Sequence, residues 1–159
     1  MTGFRWGGVF ILGMLEPTRS SEIIPLLISF VHRNDRDPHS QASALSILAR
    51  HAHDSKEAGL AVKEFLFRPL TADVRIEALN ALRSSQTKDY QIIDSVMAAL
   101  DDPDEGVRFT AVQVIPAMGP VALSQAESAL RKTLERPDES AETKALAKKA
   151  LEQVGTSKK

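Results

Sequence analysis

One phrase recurs along this chain at a nearly fixed interval. "LTADVRIEALNAL" (70–82) and "EGVRFTAVQVIPAM" (105–118) share a basic residue, then an alanine three places on, then a small apolar run. Taking that alanine as the anchor, Ala44, Ala78, Ala111 and Ala145 follow one another at spacings of 34, 33 and 34 residues. A period of this length marks a stacked array, because each unit is one supersecondary motif that cannot bury its apolar face alone. After three of the anchors, apolar residues return three and four places on, as Ile47 and Leu48, Ala81 and Leu82, Val114 and Ile115. That spacing is a helical stripe and excludes the alternation of a half-buried strand. Between these helices lies a second set with the same period, "SEIIPLLISFVH", "KEAGLAVKEFLF", "YQIIDSVMAAL" and "ALSQAESALRKTL". Each unit therefore reads as a helix pair.

The punctuation agrees. Asp102 is placed to cap a helix whose first turn is Pro103, Asp104 and Glu105, where carboxylates satisfy free N–H groups and complement the dipole. Gly119 and Pro120 stop that helix, as a C-terminal glycine followed by proline does. Pro25 sits near the start of its helix and is tolerated there, whereas Pro116 sits late in its own and predicts a bend or an early end.

With these features the units resemble HEAT repeats, in the short form of bacterial HEAT-like arrays that include the phycobilin lyases, and the likeness runs over almost the whole chain. The resemblance implies an all-α, right-handed α-solenoid of antiparallel helix pairs, with about four repeats and a leading half. Its boundaries fall at 1–17 for the half repeat, then at 20–53, 55–84, 88–119 and 121–155, leaving 156–159 as a disordered tail. In that family an acid in the turn and an arginine six residues later tie neighbouring repeats together. Asp102 and Arg108 fit that pattern. Arg75 keeps the base but has Pro69 in place of the acid, Asp35 keeps the acid but has Gln41 in place of the base, and Arg136 with Glu142 reverses the charges.

The resemblance also implies that the second helix of each pair lines a concave surface. Residues two before and two after each anchor point away from it on a helix. They are Trp6 and Phe10, Ala42 and Ser46, Ile76 and Asn80, Phe109 and Gln113, Thr143 and Ala147. Large apolar members of such a row, Trp6, Phe10, Ile76 and Phe109, are typical interface residues. The structural alternative is that Ile76 and Phe109, close to their helix starts, cover adjoining turns. The candidate partner-binding set is thus Trp6, Phe10, Ile76, Asn80, Phe109 and Gln113, and the function implied is a non-enzymatic protein-binding scaffold.

The two ends differ. "FRWGGVFILGMLEP" (4–17) overlays "VRFTAVQVIPAMGP" (107–120), so the chain opens inside a repeat. Solenoid ends need polar capping faces. The last helix has one in Lys144, Lys148, Lys149 and Glu152, but residues 4–15 are apolar on every side and should be buried. Missing upstream repeats, a second copy or partner, a membrane, or the chain's own first full repeat could cover them. Their lack of a charged face disfavours the membrane.

Composition narrows the chemistry. Twenty basic against 21 acidic residues give a net charge of -1, which removes any bulk attraction to nucleic acid. Arg131, Lys132, Lys144, Lys148 and Lys149 supply only a local basic patch. The chain has no cysteine, so disulfides, Cys-ligated zinc and thiol catalysis are excluded. "GGVFILGML" (7–15) is less than half the roughly 20 residues needed to span a bilayer, and no small-residue cleavage site follows it. A cytoplasmic chain without membrane, cofactor or metal is expected. His51 and His53 lie two apart on a helix and do not share a face, and His32 and His39 flank a turn with Asp35 and Asp37 but without ligand spacing. There is no phosphate-binding glycine loop or nucleophile elbow. "DDPDE" (101–105) reads as caps rather than as paired catalytic acids. The rival from another class is a lyase-type factor holding a small molecule or chromophore, and a nucleic-acid binder ranks third.

Overall fold

The computed structural model describes residues 20–32, 37–52, 55–66, 71–83 and 89–157. Residues 4–17, Asp35, His53 and Pro69 lie outside them, and so do Trp6 and Phe10. Among the described residues the chain forms nine α-helices and no strand: α1 (Ser20–Val31), α2 (Pro38–His51), α3 (Lys56–Leu66), α4 (Ala72–Leu82), α5 (Tyr90–Ala98), α6 (Glu105–Ala117), α7 (Pro120–Gln125), α8 (Glu127–Glu135) and α9 (Ala141–Ser157). A 3-10 turn, Ala99–Asp101, extends α5. The last helix runs two residues into the stretch read as a tail.

The helices stack in two layers. α1 packs on α3 and α3 on α5, while α2 packs on α4, α4 on α6 and α6 on α9. The first layer repeats every 34 residues: Ile24, Ala58, Ile92 and Ala126 are buried in one register, and Val62, Val96 and Leu130 in the next. The core is consequently one ribbon of apolar contacts from Ile23 to Val154, passed from neighbour to neighbour.

Capping fixes where helices begin. Asp37 accepts from the Ser40 N–H at 3.0 Å with Pro38 at the first helical position, and Asp89 accepts from the Gln91 and Ile92 N–H groups. At α6 the cap is Asp104, accepting from the Val107 N–H at 3.1 Å, so the helix starts at Glu105 and not at Pro103 as the acidic run suggested. Asp102 is used otherwise, as shown below. Pro116 ends α6 one residue later, at Ala117. Gly119 then turns the chain into α7 with φ of +107°, a left-handed conformation that an L side chain resists. The helix read through "ALSQAESALRKTL" breaks at Ala126 into α7 and α8, and "YQIIDSVMAAL" ends in the 3-10 turn.

The register of α9 corrects the sequence reading. Ala145 is exposed, whereas Thr143 and Ala147, read as outward, are buried. The helix is capped by Ser140, whose Oγ accepts from the Thr143 N–H, so Thr143 takes the place that Val107 has in α6. The true partner of Ala111 is Ala147, and the outward row continues through Ala145 and Lys149. Ala42, read as outward, is buried as well, at the floor of the groove between α2 and α4.

Candidate functional site

Two features mark the second layer: the side-chain clamps between successive units, and the outward row of residues its helices present. The clamps come first because they set the geometry of the row. Arg75 on α4 donates from Nε to Asp102 Oδ2 and from Nη2 to Asp102 Oδ1, both at 2.8 Å. Asp102 Oδ1 also accepts from the Asp104 N–H at 2.9 Å, tying the clamp to the cap of α6. Arg108 on α6 repeats the gesture one unit on. Its Nε donates to Glu139 Oε2 at 2.7 Å and its Nη2 to Glu139 Oε1 at 3.3 Å, while Nη1 donates to the carbonyls of Asp102 and Pro103. Each hydrogen-bonded carboxylate holds its guanidinium's proton more firmly than usual. On α2 the same position is Gln41, a buried amide donating to the Val31 carbonyl at 3.0 Å.

These contacts revise the expected pairing. Asp102 and Arg108 touch through the Asp102 carbonyl, and their charged heads go elsewhere: the acid reaches back to Arg75, the arginine forward to Glu139. Arg136 and Glu142 form no reversed clamp, since Arg136 donates to Asp101 at 2.8 Å and to the Leu100 carbonyl, and Glu142 is exposed. Lys132 joins Asp101 at 2.9 Å, and its ammonium, followed by Arg136, holds the Asp101 carboxyl below the usual range. Glu139 carried no sequence signal of its own; only its place in the turn before α9, one unit beyond Arg108, marks it.

The outward row lies across α4, α6 and α9. Ile76 and Phe109 are half-buried at equivalent positions; Asn80 is exposed and Gln113 half-buried one turn on. Ile76 serves partly as packing: its Cδ1 lies 3.2 Å from where a Cβ on Gly106 would stand, so a glycine there lets α4 close on the start of α6. Between α2 and α4 the row borders an open groove of about 370 Å³ lined by Ser43, Ser46, Glu77 and Asn80. Trp6 and Phe10, which the sequence places in the same row, lie outside the described residues.

A cavity of about 200 Å³ sits beneath the Arg75–Asp102 clamp, walled by Leu66, Ala78, Leu79 and Val107. It is smaller than the roughly 300 Å³ at which ligand pockets begin. Its charged groups are bonded to each other, and Ser95 donates to the Gln91 carbonyl at 2.7 Å. Among the described residues no group of three or more His, Asp or Glu side chains is arranged to hold a metal. His32 contacts Glu64 at 3.2 Å across α1 and α3, and His51 is half-buried at the end of α2. No helix of the described residues is long and apolar enough to cross a membrane.

A family model for HEAT repeats matches residues 60–152, more than half of the chain. Comparison with curated proteins and with solved structures returns no match.

Proposed function

Because the chain belongs to the HEAT-repeat family, we propose that it is a non-enzymatic scaffold that captures a protein partner on the outward row of its second-layer helices. In this reading the pairs α1/α2, α3/α4, α5/α6 and α7–α8/α9 are the repeats of a right-handed superhelix, and the row lies on its concave side. The observation that carries the reading is the pairing of Phe109 and Ile76 with Asn80 and Gln113 one turn away. Apolar residues at the middle of such a row supply binding energy, and the neighbouring amides supply hydrogen-bonding specificity. The clamps hold the helices in fixed register, so the partner meets a pre-organised surface and little affinity is lost to ordering it.

Phe109 is the cleaner residue to test, since Ile76 also seats α4 on Gly106. With a partner recovered by wild-type chain in hand, Phe109→Asp should weaken binding roughly ten- to hundredfold, the range of a good interface residue, with unchanged helical circular dichroism. Binding equal to wild type removes Phe109 from the interface. Loss of helicity returns it to the core.

A further inference from the structure

Buried polar side chains on the helices bond back to the chain itself. Thr110 donates to the Gly106 carbonyl, Thr133 to the Ala129 carbonyl and Gln41 to the Val31 carbonyl. Four polar side chains of the second layer do not. Those of Ser46, Asn80, Gln113 and Lys149 have no hydrogen-bond or ion-pair partner among the described residues. They also hold one position, each two residues after the buried alanine of its helix: Ala44 in α2, Ala78 in α4, Ala111 in α6 and Ala147 in α9. Those helices pack on one another in that order, and Ser46 and Asn80 line the same groove. One turn earlier the corresponding residues are Ala42, Ile76, Phe109 and Ala145. A line of unpartnered polar groups thus crosses the second layer beside an apolar one.

Resting on the outward row as the capture surface, we propose that its occupant is an extended peptide segment lying across the helices. Asn80 and Gln113 hold its backbone, an apolar side chain sits on Phe109, and an acidic side chain meets Lys149. A primary amide donates and accepts at once, which matches the free N–H and C=O of an extended backbone. A helical occupant has already bonded those groups within itself and offers the amides only side chains. The repeat distance agrees. Packed helices lie about 8–10 Å apart, and a chain in the polyproline conformation returns to the same face every three residues, roughly 9 Å on. Every third residue of the peptide therefore reaches the next helix of the row. Charge sets its direction, because the Lys149 ammonium has no carboxylate partner among the described residues. An arriving carboxylate gains a charge-assisted hydrogen bond there, and a basic residue is repelled.

Selection from a displayed library of random peptides on the full chain, followed by titration of the recovered peptides, tests it. Recovered sequences should share an apolar and an acidic residue about three positions apart. Asn80→Ala with Gln113→Ala should weaken them at least about tenfold through the lost hydrogen bonds, with unchanged circular dichroism because alanine is the best helix former. A fresh selection on Lys149→Glu should exchange the acidic residue for a basic one; Lys149 is exposed, so this arm stands even if the double variant unfolds. Proline placed between the contact positions of a recovered peptide should change its affinity by less than about threefold, whereas in a helical occupant it would cost about a hundredfold. An empty selection overturns the proposal, as do peptides indifferent to the double variant or to the charge of residue 149. Peptides ruined by proline overturn it too and put a helix in the row. In each of these cases Phe109→Asp separates the two readings: capture of a partner lost in that variant keeps the row as the surface with another occupant, and capture unaffected removes the row itself.

Discussion

The two clamps perform one task at different depths. At Arg75–Asp102 the side chains are 24% and 11% exposed; at Arg108–Glu139 they are 6% and 0%. In the shallow clamp water still reaches the guanidinium, which the Asp102 carboxylate grips with both oxygens. In the deep clamp water is excluded, and the Arg108 guanidinium is satisfied by two carboxylate oxygens and two backbone carbonyls. An ion left unpaired there would carry its full desolvation cost. Gln41 extends the comparison. There a neutral amide donates to the Val31 carbonyl, and no buried charge has to be matched.

The largest expected effect follows from that depth. Glu139→Ala strands Arg108 and should cost about 3–5 kcal/mol of stability, read as a shift of the urea midpoint at constant slope. Replacing both partners, as Arg108→Met with Glu139→Leu, should recover much of the loss, because the penalty belongs to the uncompensated ion. A double variant no better than Glu139→Ala would mean that the carbonyl bonds of Arg108 dominate. The shallow clamp should be cheaper: Asp102→Ala is expected to cost about 1–2 kcal/mol, and a loss equal to that of Glu139→Ala would erase the distinction between the two.

The smallest effect concerns pH at the surface cluster of Asp101, Lys132 and Arg136. The Asp101 carboxyl is lowered in the folded chain, so its contribution is fully present above the ordinary carboxylate range and fades as the pH falls through the lowered value. Because Asp101 and Lys132 are both more than half exposed, the amount should be below about 1 kcal/mol and shrink with salt. Asp101→Asn should flatten the acid side of a stability–pH curve slightly.

Much of this architecture can be read from the chain, and the misreadings have physical causes. The first layer keeps its 34-residue period because Ile24, Ala58, Ile92 and Ala126 occupy equivalent buried places. The second layer drifts at α9 because burial follows the length of the preceding turn. "ERPDES" sets the cap at Ser140, and an alanine-rich helix offers Ala145 and Ala147 equally to a pattern search. The family's spacing places acid and arginine within one unit. A carboxylate that serves the arginine of the preceding unit, 27 residues back for Asp102 and 31 for Glu139, leaves no local spacing to find. The outward row was legible at Ile76, Asn80, Phe109 and Gln113, yet helical phase could not tell that Ile76 also meets Gly106, a contact between separate helices.

The forward reach of Arg108 also governs how the chain can be divided. Its carboxylate sits in the turn that introduces the next helix pair, so a cut at Gly119, the obvious seam between pairs, would separate the two. A fragment that ends there keeps the arginine and discards its counter-ion, and a fragment that starts at Pro120 leaves Glu139 facing Arg136 at 3.9 Å in place of Arg108 at 2.7 Å. Pieces intended to fold by themselves should begin or end on the far side of Glu139, where the seam in charge lies, rather than where the helices happen to stop.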